Sequence, residues 1–190
     1  MNKKFLFLSL ILSYFLISSC MRREYVIEYD YDYRGNFKKY NSFYFMHNAK
    51  VNQDSSQTAF NPLLEEAIQN RMEILGYKFS KEKPRLLVAY TIYYDDMKFR
   101  GYVQPELEKW IEKEISEDQY DPVKIDLREG TILVQLIDTK KNNTVWQGYA
   151  SGVFGNSYFN NEKYIKRAVR SIFEQYRIMA EGFEVNQRSM

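Results

Sequence analysis

Alternation of apolar and polar positions predicts a sheet of several short strands. In residues 25–33 the tyrosines and Ile27 share one parity, while Glu28, Asp30 and Asp32 share the other, which is the period of a half-buried strand. Residues 85–95 carry apolar side chains on both parities at their start, which indicates a central strand whose far end reaches solvent. The predicted strands cover residues 25–33, 42–46, 85–95, 123–127, 130–138 and 144–154, and residues 77–79 are predicted to form a short strand or a turn.

Two other stretches have the spacing of amphipathic helices. In residues 62–75 the apolar positions recur every three or four residues, after a capping Asn61 and before Gly76, which can end a helix with positive φ. A second helix follows Asn161, and its apolar stripe consists of Ile165, Ala168, Val169, Ile172, Phe173 and Tyr176. A shorter helix over residues 105–116 interrupts a long connection between strands.

These elements predict an α+β fold. Each amphipathic helix needs an apolar sheet face to cover, so we expect a two-layer sandwich with a mixed, mostly antiparallel sheet and both helices on one face. The length suits a single domain, which we place at residues 25–180 with a C-terminal tail at residues 181–190.

The amino terminus has the pattern of a secretory leader. Lys3 and Lys4 precede an apolar run over residues 5–17, which is shorter than the ~20 residues that a transmembrane helix needs. The following segment, Ile17-Ser18-Ser19-Cys20, resembles the lipobox of bacterial lipoproteins. The resemblance implies removal of residues 1–19 and lipid attachment at Cys20, which leaves residues 20–24 as a tether. A plain leader with an incidental cysteine is the alternative.

Cysteine count and charge narrow the possible partners. Cys20 is the only cysteine, so a disulfide within the chain is excluded and acylation would account for the odd thiol. The leader carries two of the 27 basic residues and none of the 25 acidic ones, so the mature chain is neutral. A neutral chain gives no electrostatic basis for binding nucleic acid or for a polybasic membrane contact.

Aromatic residues are abundant, with 17 Tyr, 13 Phe and 2 Trp. Such a composition suits a surface that binds a sugar or a partner protein, and it also suits the bias of an AT-rich genome. The exposed aromatic residues best placed for a partner are Tyr93 and Tyr94 at a strand end and Trp110 in the connection that follows.

No reaction centre stands out. His47 is the sole histidine and lacks companions for a metal site, and Ser151 lies within a predicted strand, without the strand–turn–helix context of a nucleophile elbow. We therefore expect no catalytic residue, cofactor or metal, and we interpret Glu28, Asp30 and Asp32 as a solvated strand face. An alternative is a glycan hydrolase that uses the adjacent carboxylates Asp95 and Asp96, near Glu106 and Glu108.

Several short motifs together resemble a known family. In order they are Tyr29-Asp30-Tyr31-Asp32, Ser42-Phe43-Tyr44-Phe45, Asn61-Pro62-Leu63, Gly76-Tyr77, Leu86-Leu87-Val88-Ala89-Tyr90, Glu129-Gly130-Thr131, Leu136-Ile137-Asp138, Val145-Trp146-Gln147-Gly148, Ala168-Val169 and Ile172-Phe173. This order resembles the bacterial lipoprotein family catalogued as domain of unknown function 4136, over about residues 25–176. The resemblance implies a two-layer α+β domain on an envelope lipoprotein and assigns no activity. Residues 97–121 carry no matching motif.

The leading hypothesis is a non-catalytic envelope lipoprotein that holds a partner protein or a cell-wall glycan near the membrane. Met21-Arg22-Arg23 lacks an acidic residue directly after Cys20, which by analogy with lipoprotein sorting favours the outer membrane. We expect the domain to face the periplasm. A third hypothesis is assembly through an exposed sheet edge, either the strand near Tyr25 or the strand at residues 42–46.

Overall fold

The computed structural model describes residues 26–46, 61–103, 107, 111–112, 121–152 and 161–183. The leader, Cys20, the predicted tether at residues 20–24, His47, Glu106, Glu108 and Trp110 all lie outside the described residues. The strands are β1 (Val26–Tyr31), β2 (Ser42–Phe45), β3 (Lys78–Phe79), β4 (Leu86–Tyr93), β5 (Met97–Val103), β6 (Asp121–Leu127), β7 (Thr131–Asp138) and β8 (Asn143–Ser151). The helices are α1 (Pro62–Ile74) and α2 (Glu162–Phe173), with a 3-10 turn at Phe37–Lys39.

Six of the strands form one mixed sheet in the order β1-β8-β7-β4-β2-β3. The β1–β8, β8–β7 and β7–β4 pairs are antiparallel, whereas β2 lies parallel to both β4 and β3. The predicted α+β class is therefore confirmed. Strand β1 is terminal in this sheet, as one edge hypothesis requires, but β2 lies between two strands, so the proposal of an edge at residues 42–46 is wrong.

Both helices begin where the sequence predicts, and α1 also ends there, whereas α2 ends at Phe173, before Tyr176 of the predicted stripe. The Asn61 side chain accepts a hydrogen bond from the Leu64 amide at 3.1 Å, and Gly76 follows α1 with a φ of 86°. The Asn161 side chain accepts a hydrogen bond from the Lys163 amide at 3.1 Å. These caps satisfy amide groups that have no partner within the helix. No helix in the described part of the chain has the length and apolar character needed to cross a membrane.

One hydrophobic core joins both helices to one face of the sheet. Helix α1 contributes Leu64, Ile68 and Met72, and α2 contributes its predicted stripe from Ile165 to Phe173; Tyr176, the last residue of that stripe, is buried just after the helix. The sheet contributes alternate residues of its central strands, which the register aligns in rows such as Val88, Leu136 and Trp146. Burial of this stripe by the sheet stabilises α2, since a helix of this length is marginal in isolation.

The carboxyl-terminal segment after α2 packs back onto the domain. The Tyr77 and Tyr176 hydroxyls lie 2.7 Å apart in the core, the Ala180 amide donates to the Leu75 carbonyl, and the Glu181 amide donates to the Tyr40 carbonyl. Glu181, where the predicted tail begins, is thus hydrogen-bonded to the domain, while residues 184–190 lie outside the described part.

The connection at residues 97–121 contains more strand than predicted. Strands β5 and β6 pair antiparallel as a separate two-stranded sheet. Of the helix predicted over residues 105–116, only Leu107, Ile111 and Glu112 are described; Leu107 is 1% exposed, and both it and Ile111 pack on the main core. These contacts attach the connection to the domain.

Helix α2 packs close to the sheet at Gly148. A Cβ atom there would lie 2.7 Å from Cζ2 of Trp146 and 2.9 Å from Cγ2 of Ile172, both well inside van der Waals contact. We expect Gly148→Val to lower the free energy of unfolding by about 2–3 kcal/mol, because overpacking forces the indole and α2 to move. The denaturant midpoint measures the effect.

Ala89→Val is the control for the Gly148 substitution, because Ala89 is half-buried on the opposite face of β4 and Val favours strands. We expect it to change the midpoint little. Equal midpoints for the two valine variants would contradict the close approach of α2.

Candidate functional site

Of the three residues proposed for partner binding, Tyr93 and Tyr94 lie at the end of β4 where it leaves the sheet, and Trp110 lies outside the described residues. Tyr93 is half-buried against a small cluster of Leu127, Leu133 and Tyr149, and Tyr94 is 36% exposed. Asp95 and Asp96 follow at the surface, where Asp96 Oδ1 accepts a hydrogen bond from the Glu129 amide at 2.7 Å. The structure brings these two carboxylates together only as chain neighbours. The Asp96 carboxylate is used to hold the backbone at Glu129, just before β7.

A cavity of about 580 Å³ lies at the other end of the sheet. It is lined by residues 30–34, at the end of β1, and residues 144–147, at the start of β8. The two strands are held in register here, with Asp30 opposite Gln147 and Tyr31 opposite Trp146. The volume lies within the usual range of small-molecule sites.

Asp32 organises one wall of the cavity. Arg34 donates to its carboxylate from the backbone amide at 2.8 Å and from Nε and Nη2 at 3.0 Å, and Asn143 Nδ2 donates at 2.6 Å. The hydrogen bonds from Arg34 are the largest cause of a pKa below the ordinary value for this carboxyl. Asp32 is therefore ionised at neutral pH and held in a fixed orientation by the loop after β1.

Asp30 has a different environment from Asp32. Burial raises the pKa of its carboxyl, only partly offset by hydrogen bonds from the Tyr31 backbone and the Gln147 side chain, and Asp32 raises it further. Its Oδ1 atom is buried without a hydrogen-bond partner. Burial also raises the pKa of Glu28, the neighbouring acidic residue on the same face.

The interpretation of Glu28, Asp30 and Asp32 as a solvated face is therefore wrong for this strand. All three are half-buried, and the outer face of the sheet beside them carries the buried Tyr149. Gln147 links Asp30 to the sheet interior, since Gln135 Nε2 donates to Gln147 Oε1 at 3.3 Å. Sequence reasoning missed the site because it depends on pairing between distant strands; the period-two acidic positions were the one local signal.

Asp30 is expected to cost stability at neutral pH. Below its ordinary pKa of 3.8 the carboxyl is protonated in both folded and unfolded chains, so burial carries no charge penalty. As the pH rises through the raised pKa, the folded protein must bury a charge and loses stability. We expect Asp30→Asn to raise the Tm at pH 7 by about 2–4 °C and the gain to disappear towards pH 3.

Thermal denaturation across that pH range measures this effect. The control is Asp95→Asn, which neutralises an exposed carboxyl far from the cavity and should leave the Tm unchanged. A gain for Asp30→Asn that stays constant with pH would contradict a buried charge as its cause.

Metal binding finds no support in the described part of the chain. No three His, Cys, Asp or Glu side chains lie close enough there to bind an ion together. The polar groups of the cavity instead suit hydrogen bonding, because carboxylates, an amide and a hydroxyl lie beside aromatic rings.

Comparison with solved structures finds several similar chains, of which the first described here shares the fold. A DUF4136 family protein from Bacteroides thetaiotaomicron has a TM-score of 0.55 at 19% identity, covering 84% of this chain and 99% of that chain. A PelC dodecamer from Paraburkholderia phytofirmans has a TM-score of 0.41 at 10% identity, covering 80% of this chain and 97% of that chain. A PDZ domain protein from Parabacteroides distasonis has a TM-score of 0.45 at 14% identity, covering 92% of this chain and 41% of that chain.

The comparison with curated proteins finds no match. The model of the family described as domain of unknown function (DUF4136) matches residues 27–176, which run from β1 to just beyond α2. The matched range includes the cavity and nearly all of the core. The chain belongs to the DUF4136 family.

Proposed function

We propose that this protein is a lipid-anchored envelope protein of the outer membrane, and that its DUF4136 domain is a non-catalytic module that binds or holds a periplasmic component. The observation that carries the proposal is Ile17-Ser18-Ser19-Cys20, directly after a short apolar run with two lysines before it. Cys20 stands six residues before β1, so a lipid on its thiol would keep the folded domain close to the bilayer.

Two further observations support a binding role. The domain has a cavity of small-molecule size, and the carboxylates that line it differ in their pKa shifts and hydrogen bonding. By contrast, Asp95 and Asp96 of the hydrolase alternative lie on the surface outside this cavity. The cavity therefore supports a binding module, and it gives no support to a glycan hydrolase that uses Asp95 and Asp96.

The experiment is mass spectrometry of the amino-terminal peptide from the native protein in its membrane. We expect a peptide that begins at Cys20 and carries a diacylglyceryl group on sulfur and an acyl chain on the new amino group. Two or more chains are needed for stable anchoring, because a single chain binds the bilayer only marginally. A mature protein that begins elsewhere, or an unmodified Cys20, would overturn the anchor.

Crosslinking in intact envelopes tests the binding role separately. We expect recovery of one periplasmic protein or wall fragment with the wild-type chain and its loss when the cavity is altered by Asp30→Ala. A chain that is acylated but crosslinks to nothing would keep the anchor and reject the binding role.

A further inference from the structure

The structure separates the charges of a chain whose predicted mature form is neutral. All six strands of the main sheet meet at one end of it, where β1 and β7 finish and β2, β3, β4 and β8 begin. The connections at this end are residues 32–41, 80–85 and 139–142, and they contain eight basic and two acidic residues. We call this surface the basic end. At the opposite end, residues 94–96 and 128–130 contain three acidic residues and one basic residue.

Hydrogen bonds join the three connections of the basic end to one another. Lys141 Nζ donates to the Arg34 carbonyl at 2.6 Å, and Thr139 Oγ1 donates to the Pro84 carbonyl at 2.8 Å. From β1 to β2 the sheet is four strand spacings wide, which is about 20 Å. The basic residues are therefore held on linked loops within a distance that one extended ligand can span.

The acidic groups near the basic end do not neutralise it. Asp32 accepts hydrogen bonds from the loop after β1, and Asp138 accepts one from the Tyr40 hydroxyl at 2.8 Å. Even when Asp138 and Glu181 are added to Asp32 and Glu82, eight basic residues face four acidic ones. Three lysines there are exposed and form no ion pair with any described residue: Lys38, Lys39 and Lys140.

A set of separate lysines restricts the chemistry of a ligand. An isolated ion pair at an exposed site contributes little, so a single small anion would be held weakly. A polymer with repeated negative charges contacts several lysines at once, and the contributions combine. Lysine ammonium groups are point charges without the planar fork of arginine, so they bind carboxylate and phosphate groups alike. The guanidinium fork of Arg34 is already engaged by Asp32.

The composition of the basic end favours a glycan over a protein or a nucleic acid. Lysine is depleted in protein–protein interfaces, which are built around aromatic and apolar anchors. Single-stranded nucleic acid is bound largely by stacking of its bases on aromatic rings, whereas Phe37 and Tyr40 beside the lysines are buried. Clusters of basic residues bind acidic polysaccharides such as heparin through charge.

We propose that the basic end binds an acidic polysaccharide through carboxylate or phosphate groups on successive sugar units. This inference deepens the binding role proposed above and rests on it. A lipid on Cys20 would attach the chain before the start of β1, so the basic end, where β1 finishes, would lie away from the anchor. Lys38, Lys39 and Lys140 contact the polymer, and the adjoining cavity, which Arg34 also lines, is large enough for one of its units.

Calorimetric titration of the full-length chain in a non-ionic detergent tests the proposal. The probes are octagalacturonate, phosphorylated maltooctaose and unmodified maltooctaose, together with polyglutamate and oligothymidylate. We expect at least one of the two acidic glycans to bind and the neutral glycan not to bind. Raising the salt from about 50 to about 300 mM should weaken this binding about tenfold or more, because salt screens exposed charges.

A triple variant, Lys38→Gln, Lys39→Gln and Lys140→Gln, should weaken binding of the acidic glycan about tenfold or more, because three exposed ion pairs are lost together. The matched control removes three positive charges elsewhere on the surface: Lys98→Gln, Arg128→Gln and Lys163→Gln. Both variants have the same net charge, so the control should bind like wild type if the position of the lysines matters. Circular dichroism verifies that both are folded.

Four results would overturn the inference: no binding of either acidic glycan at millimolar concentration and low salt, equal binding of unmodified maltooctaose, equal weakening by the two triple variants, or tighter binding of polyglutamate or oligothymidylate. Titration of the purified chain does not depend on acylation of Cys20, so failure here would leave the anchor untouched. A partner recovered by crosslinking would likewise keep the holding role and reject only the acidic glycan.

Discussion

Ile172→Asp is expected to unfold the domain. Ile172 is completely buried in α2, with its Cγ2 atom over Gly148 of β8, so an aspartate there would place a carboxylate between helix and sheet. The substitution loses the apolar burial and adds a buried charge without a partner. We expect a loss of more than about 4 kcal/mol, a large part of the roughly 5–15 kcal/mol that stabilises a typical domain.

Circular dichroism and denaturant titration measure this loss. Ile74→Asp is the matched control, since Ile74 ends α1 and is 60% exposed, so the same chemical change should cost little there. If Ile172→Asp kept the wild-type midpoint, or if both variants lost equal stability, α2 would not cover the core as described.

Cys20→Ala is expected to abolish acylation and remove the protein from the outer membrane. The thiol is the only group in the chain that can form the thioether to lipid, because no second cysteine exists. Each buried methylene of an acyl chain contributes about 0.8 kcal/mol to membrane binding, so loss of the two or three proposed chains would remove the proposed anchor. Metabolic labelling with palmitate and separation of the two membranes by density measure the change.

Ser19→Ala is the control for the cysteine substitution. It alters the neighbouring residue, keeps a small side chain before the cleavage point and leaves the thiol in place. We expect it to label and sort like wild type. Recovery of Cys20→Ala in the outer membrane at the wild-type level would show that another part of the chain holds it there.

The parts of the fold that local chemistry determines were predictable from the sequence. Both helices follow from the three-and-four spacing of apolar residues and from the capping residues Asn61 and Asn161, whose side chains make the expected hydrogen bonds. The tight turn between β7 and β8 follows in the same way, because Asn142 tolerates the positive φ of 52° that it adopts.

Features that depend on pairing between strands far apart in the sequence were harder to predict. Strand β5 has alternating Met97, Lys98, Phe99 and Arg100, a period-two signal that could have revealed it. Its partner β6 begins only at Asp121, so the pairing could not be read from neighbouring residues. The cavity was not predictable, because the burial of Asp30 requires β1 to pair with β8 and place Gln147 opposite it. Alternation assigns a residue to a face and does not show how far that face is covered.

The position of β1 limits how far the cavity could lie from the membrane if Cys20 carries the proposed lipid. The six residues from Cys20 to Val26 span at most about 20 Å when fully extended, and β1 adds roughly 20 Å along the sheet. The cavity lies at the end of β1 that is remote from Cys20. With a lipid on Cys20 in the bilayer, the cavity could lie no more than about 40 Å from the membrane surface. This limit is set by the length of the chain between Cys20 and the end of β1.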